Sequence, residues 1–229
     1  MNTKQSILVW DIPTRLFHWL LALSFVGAFV TAESERARDL HLLFGYTLLG
    51  LIGFRLLWGL VGTRYARFRS FLFRPTAVRD YLASLLTRNP RHYLGHNPAG
   101  SLAVFLLLGL GLLASITGWA TYSDAGGEWL EELHEGMANA MLAVVFVHIA
   151  GVVVSSLLHR ENLVRAMLTG RKQGEPAQGI RYRHAWLGVL LLATVAVFWY
   201  WYPQTLVTPD LRAQVTERMT HDDQRHDIR

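Results

Sequence analysis

Four histidines lie inside or at the ends of long apolar runs: His18, His41, His134 and His148. An ionisable side chain in a membrane-length segment is costly, so it marks a functional site by default. His134 and His148 are fourteen residues apart. On one helix that spacing is close to four turns, about 40° around the axis and about 21 Å along it. The two imidazoles therefore share a face, yet they are too far apart to share one metal or one proton. The spacing fits two separate cofactors at two depths. Arg55 follows His41 by the same fourteen positions. An arginine near mid-membrane costs about 2.5–3.5 kcal/mol on insertion scales. A bound anionic group would offset that cost with a charge-assisted pair. The alternative is that Arg55 snorkels to the inner surface about 9 Å away.

These side chains need long helices to position them. The chain of 229 residues is 52% hydrophobic and only 17% charged, below the roughly 25% of a soluble domain. Runs of about 20 apolar residues cross a bilayer, and five are expected: Leu16–Ala32, Leu40–Val61, Ala99–Thr121, Gly136–Leu158 and Ala185–Tyr202. Asp11 and Pro13 read as a helix cap and a first-turn proline ahead of the first span. The first run also has the look of a signal peptide, but Trp10, Asp11, Pro13 and His18 do not suit one, so it is expected to be retained. The net charge of +5 does not point to nucleic acid, because the basic residues sit in loops beside the spans. Seven arginines lie between Arg64 and Arg91, and six Lys/Arg lie between Arg160 and Arg183. The Ser123–Glu135 loop has no base and five acids. Lys/Arg-rich loops face the cytoplasm, so the N-terminus is expected inside and the C-terminus in the periplasm of a bacterial inner membrane.

With that topology the depths pair off. His41 and His134 fall at the outer surface, while His18 and His148 fall in the cytoplasmic half. Each pair comes from two different helices, which suits a haem b held edge-on with an imidazole on each face of the iron. Gly27, Gly45, Gly136 and Gly151 are near the ligands and suit a flat macrocycle, though small residues also serve ordinary membrane helix packing. There is no cysteine, which excludes iron–sulfur clusters held by thiolates and covalent haem attachment. A zinc protease is excluded because His134-Glu135-Gly136-Met137-Ala138 lacks the second histidine of H-E-x-x-H. His92, His159 and His184 read as loop or span-edge residues. "HDDQRHD" in the tail reads as a weak metal binder at most, in a disordered segment.

The stretches "DIPTRLFHW" (11–19), "HLLFGYTLLGLIGFRLLW" (41–58), "GHNPAG" (95–100) and "LHEGMANAMLAVVFVHIAG" (133–151) resemble the prokaryotic cytochrome b561 family, which includes b-type cytochrome subunits of nickel–iron hydrogenases. The resemblance covers roughly residues 7–170. It implies an all-α membrane protein, a four-helix transmembrane bundle holding two haems, here with a fifth transmembrane helix added. It also implies two non-covalent haem b groups, with His18, His41, His134 and His148 at axial-ligand positions, and quinone as substrate. The expected organisation is a di-haem core over 1–170, a cytoplasmic linker and fifth helix over 171–202, and a polar periplasmic tail over 203–229.

The expected function is electron transfer between the quinone pool and a periplasmic partner, a c-type cytochrome or a hydrogenase-like subunit, with quinone oxidoreductase activity. Membrane lipid and a second copy of the chain complete the expected partners. The five acids of the outer loop would steer a basic redox protein. The competing function is a transporter or proton channel that uses the histidines as a relay. His96, just before the third span, is open to three roles: contact with a propionate, a proton relay, or a helix cap.

Overall fold

A computed structural model describes residues 5–87 and 90–206. The "HDDQRHD" stretch and most of the expected tail lie outside the described residues. The elements in chain order are strand β1 (Gln5–Leu8), helices α1 (Ile12–Thr31), α2 (Arg38–Val61), α3 (Pro75–Leu85), α4 (Pro98–Tyr122), α5 (Glu128–His159) and α6 (Leu163–Thr169), strand β2 (Arg171–Gly174) and helix α7 (Ala185–Leu206). Five of the helices are long and apolar enough to cross a membrane. Their outward faces carry bare Leu23, Val30, Leu57, Phe146 and Val147. Such surfaces find their partners in hydrocarbon rather than in water.

Local chemistry sets the helix ends. Asp11 caps α1 by accepting from the Thr14 N–H at 2.8 Å, with Pro13 in the first turn. Asn97 caps α4 by accepting from the Gly100 N–H at 2.7 Å, and Pro98 follows as the first helical residue. Both prolines sit where a missing N–H costs nothing. Helix α5 begins at Glu128, eight residues before the expected start at Gly136. Glu128 and Glu131 in its first turn complement the positive end of the helix dipole. Its 32 residues span about 48 Å, so it projects well beyond a hydrocarbon core of about 30 Å.

In the unit that runs through Leu191, α1 packs on α2, α2 on α4, and α4 on α5. Helices α1 and α5 lack the close backbone packing of these neighbours among the described residues. The start of α7 belongs to this unit too, where Gly188 lies against Ile12 and Leu16 of α1. From Leu192 onward the chain forms a separate unit, an apolar helix ending in a run of aromatic rings. Phe198 pairs with Tyr202 at 5.3 Å and Tyr200 with Trp201 at 5.8 Å. Such rings gather at membrane–water interfaces.

The end of the bundle that carries the basic loops is closed by a small polar layer. Strand β1 pairs antiparallel with β2, Gln5 opposite Gly174 and Leu8 opposite Arg171. Beneath them Ile7, Val9 and Trp10 form a core with Tyr65, Leu94 and Met167. Gly170 joins the layer to α6. Its carbonyl accepts from both Val9 and Trp10 N–H, at 2.8 and 3.0 Å. Its φ is +79°, and a Cβ there would stand 2.5 Å from the Trp10 carbonyl oxygen. Only glycine meets both demands. Lys172 of β2, almost wholly buried, bonds Glu161 at 2.9 Å and donates to the Tyr93 carbonyl at 3.2 Å.

Candidate functional site

The structure brings His41 and His134 together. His41 sits in the first turns of α2 and His134 in those of α5. Their ring centres are 6.0 Å apart, with planes at 87°. Each ring is tied down by a backbone carbonyl. His41 Nδ1 lies 2.8 Å from the Ala28 oxygen, and His134 Nδ1 lies 2.8 Å from the Ala114 oxygen. A carbonyl can only accept, so both Nδ1 atoms carry a proton, and in the neutral ring Nε2 is the nitrogen that offers a lone pair to a metal. Histidines that bind metals are held in this way, by a hydrogen bond from the other ring nitrogen.

Helix geometry explains why these carbonyls are available. Ala28 is in the last turn of α1, where carbonyls have no partner further along the helix. Thr31 Oγ1 also reaches the Ala28 oxygen, at 3.2 Å. Ala114 lies mid-helix, so His134 must come in over the next turn of α4. Gly118 makes this approach open. A Cβ there would stand 2.8 Å from His134 Cε1 and 2.9 Å from Nδ1. Gly118 carries no sequence motif, and its role becomes visible only once α4 and α5 are packed.

Beside the two rings is a cavity of about 200 Å³, lined by His41, Gly45, Tyr46, Trp119, Tyr122 and His134 among others. A Cβ at Gly45 would meet nothing within 4 Å. Two imidazoles on one metal, with metal–nitrogen bonds of about 2 Å, have ring centres about 6 Å apart. The two free Nε2 atoms, the 6.0 Å separation and the flanking slot therefore fit a six-coordinate haem.

The second level gathers around Arg55. This residue is 2% exposed, so it does not snorkel to solvent. Its guanidinium stacks 4.8 Å over Phe68 and 5.8 Å from Phe71, and its Nη1 is buried without a hydrogen-bond partner among the described residues. His96 packs between Phe71, at 4.4 Å, and Trp10, at 4.8 Å. Burial pushes the His96 imidazole down to about 3, and the charges of Arg55, His148, His18 and Lys172 add to this in that order. The ring is therefore neutral. His18 and His148 lie within charge–charge reach of each other and of His96. The Nδ1 atoms of His18 and His96 are buried without hydrogen-bond partners among the described residues. A buried cation without an anionic partner would suit an anionic edge, such as that of a haem. The cap role open to His96 belongs instead to its neighbour Asn97.

Asp11 was legible only as a cap. Fully buried, it also accepts from Trp58 Nε1 at 3.2 Å and from Thr63 Oγ1 at 2.5 Å. It thus ties the start of α1 to the end of α2. Trp58 in turn lies 5.3 Å from the His184 ring.

The family model for prokaryotic cytochrome b561 matches residues 9–170. A relative from Azotobacter vinelandii, named "Probable Ni/Fe-hydrogenase B-type cytochrome subunit", is 29% identical over 219 aligned residues, covering 74% of this chain and 90% of its own length. A relative of the same name from Rhizobium leguminosarum bv. viciae is 26% identical over 215 residues, with the same coverage. One from Rhodobacter capsulatus is 25% identical over 218 residues, covering 75% of this chain and 83% of itself. No solved structure matches the chain with comparable significance. The family match spans the bundle helices α1, α2, α4 and α5, with His18, His41, His134 and His148 inside it. The chain therefore belongs to the prokaryotic cytochrome b561 family, as a multi-pass membrane b-type cytochrome of haem b.

Proposed function

We propose that the chain carries electrons between the quinone pool and a redox partner at the periplasmic surface of a bacterial inner membrane, through two haem b groups. The observation that carries this reading is the His41–His134 pair, with both Nδ1 protons committed to backbone carbonyls and both Nε2 atoms free. His41 and His134 would hold the outer haem. His18 and His148 would hold the inner one, with Arg55 against its propionates. Haem b supplies a one-electron couple, tuned by axial ligation, burial and hydrogen bonding. The chain's own part is to orient the imidazoles, exclude water with the apolar walls of α1, α2, α4 and α5, and neutralise propionate charge.

The orientation is N-terminus inside, supported by the basic loops at one end of the bundle and the acidic 123–135 loop at the other. The relatives' names support a hydrogenase-type subunit as the periplasmic partner. The exposed acids Asp124, Glu128, Glu131, Glu132 and Glu135 support a basic c-type cytochrome as the other choice. The haem-holding part is 1–170, followed by the linker and fifth helix over 171–202 and the polar tail over 203–229.

A proton relay fits less well, since both outer imidazoles spend their Nδ1 proton on a fixed carbonyl rather than passing it on. The test is the colour of the purified, folded protein in mild detergent. Two haem b per chain with a six-coordinate reduced spectrum is the expected result. A colourless folded preparation refutes the proposal and favours the relay.

A further inference from the structure

Arg38 opens helix α2, which is electrostatically the wrong end. A cation at a helix N-terminus opposes the helix dipole. It makes no ion pair among the described residues. Its guanidinium lies 5.9 Å over the Tyr122 ring. It lines the same cavity as His41 and His134, and it is the one cation among the lining residues. Arg38 precedes His41 by three residues, so the two side chains are neighbours on the helix surface and about 4.5 Å apart along the axis. Arg38 is exposed and His41 half-buried, so Arg38 marks the mouth of the slot and His41 its depth.

A haem seated edge-on in this slot must turn its two carboxylates somewhere. Burying them unpaired is costly, so the propionate edge belongs at the wet mouth, where the slot's one cation stands. Glu131, from the first turn of α5, lines the slot too. Its carboxylate makes no ion pair with Arg38 among the described residues.

We propose that Arg38 binds a propionate of the outer haem. This inference rests on the two-haem reading above. The propionate would satisfy both the unpaired guanidinium and the α2 N-terminus, while Tyr122 holds the guanidinium plane from below. Reduction removes one positive charge from the iron, so a cation at the haem edge favours the reduced state. Arg38 therefore raises the outer haem's potential and leaves the inner one unaffected.

The experiment is a potentiometric titration of purified wild type and of Arg38→Gln, Arg38→Lys and Glu131→Gln. The outer haem is identified as the one missing from His134→Ala. Arg38→Gln is expected to lower the outer haem's midpoint potential and leave the inner haem's in place, while Arg38→Lys restores most of the difference. Glu131→Gln, which removes a competing anion, is expected to leave the outer potential unchanged or raise it. If Arg38→Gln sheds the outer haem altogether, Arg38→Lys should retain it, and loss in both overturns the proposal. An unchanged outer potential in Arg38→Gln, or an equal shift in both haems, overturns it while leaving the two-haem reading intact. A wild type without two separable haems overturns both.

Discussion

The imidazole of His41 meets that of His134 at nearly a right angle, 87° between planes and 6.0 Å between centres, although the two arise from helices far apart in the chain. Neither ring is free to turn. The Ala28 carbonyl at the end of α1 holds one and the Ala114 carbonyl in α4 holds the other. Four helices thus cooperate in fixing one pair of imidazoles.

If the pair holds one haem, removing either ring should remove that haem and no other. His134→Ala and His41→Ala should each yield protein with half the wild-type haem content and the same remaining spectrum. His18→Ala and His148→Ala should lose the complementary haem. Pyridine haemochrome assays and reduced-minus-oxidised spectra decide this. Different residual spectra for His41→Ala and His134→Ala would break the pairing.

Gly118 should be intolerant of a side chain. A Cβ there stands under 3 Å from the His134 ring, so Gly118→Val must push the imidazole off the Ala114 carbonyl. The overpacking costs about 1–3 kcal/mol. On the two-haem reading, the observable is loss of the haem held by His134 with the other haem retained. Gly109, where a Cβ meets nothing within 4 Å, is the control on the same helix.

Arg55 should separate the haem-loaded state from the haem-free one. Arg55→Leu removes an insertion penalty of about 2.5–3.5 kcal/mol, so the haem-free chain should insert at least as well as wild type. The loaded protein should lose inner haem faster and titrate at a lower inner potential. Haem release to a scavenger protein and redox titration measure the two effects.

Glu161 should make the polar layer at the β1–β2 end sensitive to acid. Burial alone would raise its carboxyl, but hydrogen bonds from His92 and Lys172, with their charges, outweigh this and hold it below the usual value. A carboxyl whose folded value is depressed contributes stability above its unfolded value, here about 4.5, and loses it as pH falls through the lower folded value. The protection of the β1 amides, relative to their intrinsic exchange rate at each pH, should therefore fall at acid pH. Glu161→Gln, which leaves the buried Lys172 ammonium without its counter-charge, should loosen them at neutral pH by about 3 kcal/mol.

Asp11→Ala should be among the most destabilising changes outside the haem sites. It removes a helix cap worth about 1 kcal/mol and leaves Trp58 and Thr63 donors buried, at about 1–3 kcal/mol each. Asp11→Asn keeps an acceptor oxygen and should cost less. Thermal unfolding followed by helical circular dichroism ranks the three proteins.

Much of this molecule is written locally. Apolar runs of bilayer length identify the five spans because hydrocarbon admits only helices with their backbone bonds satisfied within the segment. Asp11-Ile12-Pro13 announces a helix start because a cap and a first-turn proline act on their own neighbours, whereas the cap of α4 falls on Asn97 rather than His96. The fourteen-residue intervals put His134 and His148, and His41 and Arg55, on common faces by helical arithmetic alone. Tertiary structure decided the rest. The early start of α5 lies in acidic residues that hydropathy reads as loop, yet they suit a helix N-terminus that projects into water. The pairing of β1 with β2 joins four-residue strands from distant parts of the chain, and no local pattern fixes such a long-range pairing. The carbonyls of Ala28 and Ala114, the room left by Gly118, and the burial of Arg55 over Phe68 exist only when helices are packed. A carbonyl has no sequence signature, and the absence of a side chain matters only where another ring needs the space.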